Sequence, residues 1–153
     1  MDWFVRAFIK ASLAWLSLGV TLGVAMAAYP AWTMYRTAHL HMLVLGFVAM
    51  MIYGVAYHVV PRFAGAPLYS YVAPGWHCVT SNVGLAVMCV GFVMRTSIPA
   101  AGNLVLAFGG ALSAAGAYTF AFVLWRTMDM RSVKPSAVVP LQRPVAGRGH
   151  FNS

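Results

Sequence analysis

Residues 37–60 read TAHLHMLVLGFVAMMIYGVAYHVV. The stretch holds no Asp, Glu, Lys or Arg. A helix rising about 1.5 Å per residue over it reaches past the roughly 30 Å of bilayer hydrocarbon. Apolar runs of the same kind recur at 8–29, 75–94 and 103–125, and each break has a local cause. Tyr29-Pro30 ends the first run, Val60-Pro61-Arg62 ends the second, and Ser97-Ile98-Pro99 parts the third from the fourth, because the residue before a proline resists the helical region. The pattern predicts an all-α membrane protein, a four-transmembrane-helix bundle over residues 1–128. From Met128 the chain turns polar and basic, with Pro135, Pro140 and Pro144. Residues 129–153 read as a disordered tail, and His150 within it as incidental.

Composition excludes the other classes. The chain has 153 residues, 61% hydrophobic and 8% charged, with mean hydropathy +0.77. Soluble domains carry about a quarter charged residues, so this chain has too little polar surface to face water. Disorder demands the opposite composition. The net charge of +8 (10 Lys+Arg against 2 Asp+Glu) does not indicate nucleic acid, because the basic residues fall at helix ends and in the tail. With both termini cytoplasmic, the inner side holds Arg6, Lys10, Arg62, Arg126, Arg131, Lys134, Arg143 and Arg148, and the outer side only Arg36 and Arg95. That is the positive-inside pattern of a multi-pass protein of the cell inner (plasma) membrane, N-in and C-in. The N-terminus resembles a signal peptide, but its apolar stretch runs from Ala11 to Tyr29 and further spans follow, so it reads as a retained first helix. Cys78 and Cys89 form neither CxxC nor CxxCH, which excludes covalent heme. Gly19 and Gly23 in the first helix, and Gly109, Gly110, Ser113 and Gly116 in the fourth, are small-residue stripes for close helix packing. Packing within the chain is the expectation for them, ahead of a dimer interface.

The histidines carry the chemistry. His39, His41, His58 and His77 lie in or beside the spans, while the only acidic residues, Asp2 and Asp129, lie outside them. An ionisable or ligating side chain inside a bilayer is expensive and marks a functional site by default. At about 100° per residue, His39 and His41 point roughly 160° apart and cannot share one metal. His58 lies about 28 Å further along the axis, near the opposite membrane face, where it can meet His77. Two zones follow: His39/His41 outside and His58/His77 inside. The face of His39 also carries Gly46, Met50 and Tyr57, and a glycine below a histidine can clear a wall for a flat macrocycle. Imidazole nitrogen holds heme iron in cytochromes. Met26, Met34, Met88 and Met94 are alternative axial donors. A C2 axis along the membrane normal would place a partner's histidine at the same depth, giving a homodimer with an intersubunit heme. A His/Met or five-coordinate heme in one protomer is the alternative.

The stretch HLHMLVLGFVAMMIYGVAYHVVPRFAG resembles the heme-ligating tenth helix of heme-copper oxidase subunit I, especially of the C-type oxidases and related nitric-oxide-handling membrane proteins. The matching residues are His39-Leu-His41, Gly46, Tyr57-His58, Pro61-Arg62 and Gly65, over about 30 residues. Arg36-Thr-Ala-His39 also resembles the family's R-x-x-H. The resemblance implies that His39 would ligate a high-spin and His41 a low-spin heme, and that the chain corresponds to one repeat unit of subunit I. A complete oxidase has twelve or more spans, a copper site of three further histidines and a cross-linked tyrosine, none of which can be placed here. The resulting expectation is a protein that binds non-covalent heme b and serves electron transfer or O2/NO binding, alone or in a larger respiratory complex. The alternative is an accessory subunit without cofactor. A second heme or copper site on His58/His77, and copper or zinc on His58, His77 and Cys78, stand as further options.

Overall fold

The computed structural model describes residues 1–130. Those residues form four helical spans: α1 (Trp3–Ala28), α2 (Pro30–Ala64), α3 (Ala73–Met94) and α4 (Pro99–Asp129). All four are long and apolar enough to cross a membrane. Large apolar side chains stand exposed on every one, among them Leu18, Val24, Ile52, Val90, Phe108 and Tyr118. Lipid, not water, is the solvent such a surface fits. The chain is a membrane protein. The expectation for the tail, His150 included, falls outside the described residues beyond Met130.

Several boundaries move from where the sequence pattern puts them, each for a physical reason. The first helix starts at Trp3 instead of 8, because Phe4, Val5 and Phe8 are buried and their packing holds the first turns. The second does not stop at Val60. Pro61 sits inside its last turns, where it withholds a single N–H, and the helix closes at Gly65 (φ 62°, ψ 24°). Gly65 donates its N–H to Arg62 O (3.3 Å) and Ala66 donates to Pro61 O (3.2 Å). This is a Schellman closure, which needs a left-handed residue and so favours glycine. The third and fourth helices start at Ala73 and Pro99, with Pro74 and Pro99 in their first turns, where a missing N–H has no helical acceptor to lose. The fourth runs on to Asp129 and buries Val123, Leu124 and Thr127.

The second span is composite. A 3-10 segment, Pro30–Tyr35, leads into an α segment, Arg36–His41, then a π segment, Met42–Ala49, and a final α segment, Met50–Ala64. The wider π turns follow directly on His41 and reset the faces of everything after them. No pattern in the sequence announces this.

Two antiparallel seams hold the bundle, and glycine makes both. In α1–α2, a Cβ on Gly19 would meet Leu43 at 2.7 Å, on Gly23 His39 at 2.9 Å, on Gly46 Trp15 at 2.6 Å, and on Gly54 Phe8 at 3.1 Å. The partners descend along α2 as they ascend along α1. In α3–α4, the most extensive helix contact among the described residues, a Cβ on Gly84 would meet Ser113 at 2.5 Å, on Gly91 Leu106 at 2.8 Å, and on Gly116 Ser81 at 2.5 Å. Without a hydrophobic drive between helices in lipid, such close backbone approach supplies the packing energy. The glycine stripes therefore pack largely within the chain, with one exception: Gly110 has open space where its Cβ would be. The loop between α2 and α3 is tied to the end of α4, since Tyr69 donates its N–H to Thr127 Oγ1 (3.0 Å) and Arg126 lies over the Tyr69 ring (5.2 Å).

Candidate functional site

The seam between α1 and α2 decides where the sequence-predicted residues stand. His39 sits at the end of the bundle far from the N-terminus, and its Nδ1 is 2.8 Å from Gly19 O. Its ring lies over Gly23, close enough that a Cβ there would touch Cε1. His41, two residues on, turns away from α1. Its Nδ1 is 2.8 Å from Thr37 O, one turn back, and its ring packs on Phe92 of α3 at 4.9 Å between centroids. The expected divergence of the two imidazoles is present.

Their partners fix their chemistry. A carbonyl oxygen accepts a hydrogen bond and cannot donate one. In both histidines Nδ1 therefore carries the hydrogen, and in the neutral ring Nε2 keeps a free lone pair. This is the arrangement found behind metal-ligating histidines, where the second nitrogen is anchored on a carbonyl or carboxylate.

The rest of the predicted cofactor face is already occupied. Gly46 does not offer a wall to a macrocycle: Trp15 fills its space, with Cβ and Cγ both 2.6 Å from a would-be Cβ and Leu85 at 3.0 Å. Trp15 is held there by donating Nε1–H to Asn82 Oδ1 (3.0 Å), while Asn82 Nδ2 donates to Cys78 O (2.8 Å). Met50 is buried in the core with Leu85. Tyr57 is buried against Phe4 and Phe8 of α1 and lies 3.0 Å from His77 Nδ1 through its hydroxyl. The physical reason is one of fit. The glycines that could have made room for a porphyrin make room for α1.

At the amino-terminal end, Tyr57 and not His58 reaches His77. His77 is 1% exposed and boxed by Phe8 (4.8 Å), Tyr53 (4.5 Å), Tyr57 (5.8 Å) and Phe120 (5.7 Å). Its Nε2 is buried without a partner, and so is Nδ1 of His58. Cys78 Sγ faces Asn82 Nδ2 at 3.7 Å. Among the described residues, no group of three or more His, Cys, Asp or Glu side chains converges to hold a metal ion. The His58, His77 and Cys78 copper or zinc site is therefore not assembled. Met88 accepts from Ser113 Oγ (3.8 Å) and serves packing.

Sequence reasoning missed Asn82 and the aromatic box. A lone amide in the middle of an apolar span is a signal that could have flagged Asn82. Trp15 lies deep in its span, away from the membrane interface where tryptophan concentrates. The box around His77 draws on three other helices and has no local signature.

Two spaces adjoin these residues. An apolar recess of about 540 Å³ lies near the far end, lined by Leu22, Trp32, Tyr35, Ala38, Met42 and Met94, among others. Ala38 and Met42 flank the two histidines in sequence, and the volume falls in the range of roughly 300–1,000 Å³ usual for ligand sites. A vestibule of about 390 Å³ opens at the amino-terminal end, lined in part by Asp2, Tyr57, His58 and Arg62.

Comparison with family models, with curated proteins and with solved structures yields no match.

Proposed function

We propose that this chain is a heme b-binding integral membrane protein that resembles one four-helix unit of heme-copper oxidase subunit I. Its iron donor is drawn from the outer pair, His39 and His41. One observation carries the reading: both rings rest Nδ1 on a backbone carbonyl and so hold Nε2 as a free lone pair. The donor set fits an iron porphyrin. The wall at Gly46 does not, because Trp15 fills it, so the macrocycle has to lie away from that face. When bound, heme supplies an iron that cycles between two oxidation states or that holds a diatomic gas at an open position. The chain supplies the rest. The carbonyls of Gly19 and Thr37 orient the imidazoles, Phe92 packs on the His41 ring, and the apolar recess beside Ala38 and Met42 excludes water.

Because His39 and His41 face different neighbours, one protomer cannot place both on one iron. A second copy of the chain, related by a two-fold axis along the membrane normal, supplies the sixth ligand. The chain sits in the plasma membrane with both termini cytoplasmic, where the excess of Arg and Lys belongs.

The test is an absorption spectrum of the purified protein with heme content per chain and oligomeric mass. A Soret band with sharp reduced α and β bands, and one heme per two chains, is the expected result. A colourless protein would favour the second reading, an accessory subunit without cofactor, for which the filled Gly46 face speaks.

A further inference from the structure

Two spaces adjoin on α2 near the amino-terminal end of the bundle, and they differ in character. The vestibule of about 390 Å³ carries the polar side chains Asp2, Tyr57, His58, Arg62 and Tyr71 in its lining. An apolar groove of about 290 Å³ is lined by Met51, Ile52, Val55, Ala56, Val59 and Val60, all on α2. Val60 belongs to the groove and the next residue, Pro61, to the vestibule. The spacing of the groove residues puts them on one face of the helix. From Val60 back to Met51 that face extends about 13 Å, close to the roughly 15 Å of hydrocarbon in one leaflet. A polar space at the end of the bundle thus leads into an apolar track that runs toward the bilayer middle. That is the layout of a lipid, headgroup first and acyl chain after it. Phe63, beside Arg62 in the chain, is 89% exposed and adds apolar surface at the same level.

The charges in the vestibule narrow the headgroup. Arg62 donates one guanidinium N–H to the His58 carbonyl of its own helix. Its remaining donors keep the planar fork that recognises phosphate. Asp2 stands at the N-cap position of α1, where an aspartate usually accepts from the first turn. Its carboxylate makes no such bond and is left to meet another donor. A carboxylate in the lining repels a purely anionic headgroup and attracts a cation. One cation and one anion together complement a zwitterion. A primary ammonium can donate N–H to a carboxylate, whereas a quaternary one cannot.

We propose that the vestibule and the α2 groove form one binding site for an aminophospholipid of the phosphatidylethanolamine type. Arg62 takes the phosphate, Asp2 takes the primary ammonium, and one acyl chain lies along Met51–Val60. His58 and Tyr71 border the headgroup with further polar groups. The site holds a lipid at a fixed place on the bundle, as basic pockets at helix ends hold other headgroups. The proposal goes beyond the heme reading and does not depend on it.

Native mass spectrometry of the full chain in detergent tests it. Phosphatidylethanolamine, phosphatidylcholine and phosphatidylglycerol with identical chains are added in equal amounts. Phosphatidylethanolamine should be retained about fivefold over each of the others, the weight of a good exposed ion pair. Asp2→Asn should erase its advantage over phosphatidylcholine and raise phosphatidylglycerol. Arg62→Gln should lower all three, because all three carry the phosphate, and Arg62→Lys should restore most of the loss. Soluble phosphoethanolamine, which has the headgroup without chains, should displace the lipid only weakly. Three outcomes overturn the site: equal retention of the three lipids by the wild type, retention that Arg62→Gln leaves unchanged, or displacement by soluble phosphoethanolamine as effective as by the lipid itself. Heme content of the same samples reports on the other reading separately.

Discussion

The two ends of the bundle treat imidazole in opposite ways. At the far end, His39 and His41 rest Nδ1 on the carbonyls of Gly19 and Thr37, which only accept, so each tautomer is locked with Nε2 open. At the amino-terminal end, His77 meets the Tyr57 hydroxyl, which works in both directions, and its Nε2 is sealed among Phe8, Tyr53 and Phe120. The first arrangement suits a ligand and the second suits rigid packing. The same residue type acquires different chemistry from its hydrogen-bond partner and its packing.

The largest effect separates the ends outright. If the chain binds heme as proposed, alanine at the ligating member of the outer pair, tested as His39→Ala and His41→Ala, should abolish most of the pigment, and both variants should keep a thermal unfolding midpoint in detergent close to wild type, because neither ring is deeply buried. His77→Leu should do the reverse. It keeps the pigment but leaves the Tyr57 hydroxyl unpaired in an apolar box, at about 1–3 kcal/mol. Pigment content and unfolding midpoint, measured on the three variants side by side, check this double separation. Loss of pigment in His77→Leu with full retention in both alanine variants would invert the assignment of the two ends.

Glycine substitutions along the one seam that joins the ends should sharpen the comparison at smaller scale. A Cβ on Gly23 would fall 2.9 Å from His39 Cε1, a ring that can swing aside, whereas one on Gly54 would be 3.1 Å from Phe8 Cβ and 3.3 Å from Val5 O, which cannot. Gly23→Ala should therefore displace His39 from Gly19 O and lower heme affinity with little change in stability. Gly54→Ala should lower stability by about 1 kcal/mol through overpacking, with heme affinity unchanged. Heme titration and unfolding of both variants provide the check.

Much of this architecture was legible in the sequence. The four spans follow from hydropathy and proline punctuation, and the divergence of His39 and His41 follows from helical periodicity. What was not legible has two physical sources. Proline reads as a stop, yet Pro61 is tolerated inside the last turns because closure is set by Gly65, and Pro74 and Pro99 mark starts. Periodicity along one helix also cannot say what lies opposite. Gly46 and Tyr57 were expected to face a cofactor and instead pack on α1, and a glycine opposite a macrocycle and a glycine opposite Trp15 look the same in a sequence. Only the packing of α1 decides between them, together with Asn82, which fixes the Trp15 indole.

Trp15 therefore gives the smallest expected effect and the finest test of where the two regimes meet. It lies between the ends, over Gly46, and its Nε1–H reaches Asn82 Oδ1 at 3.0 Å. Trp15→Phe keeps an aromatic ring over Gly46 and removes only that donor. Interhelical hydrogen bonds in membranes average about 0.6 kcal/mol, so the unfolding midpoint should fall slightly and the pigment should not change. Trp15→Ala instead empties the space over Gly46. If the macrocycle lies away from that face, as the filled wall requires, the alanine variant loses stability through its cavity and keeps the same heme stoichiometry and spectrum. A rise in heme content or a shifted Soret band in Trp15→Ala would mean that the wall accepts a porphyrin once the indole is gone. The indole would then be what keeps the cofactor off the α1 seam.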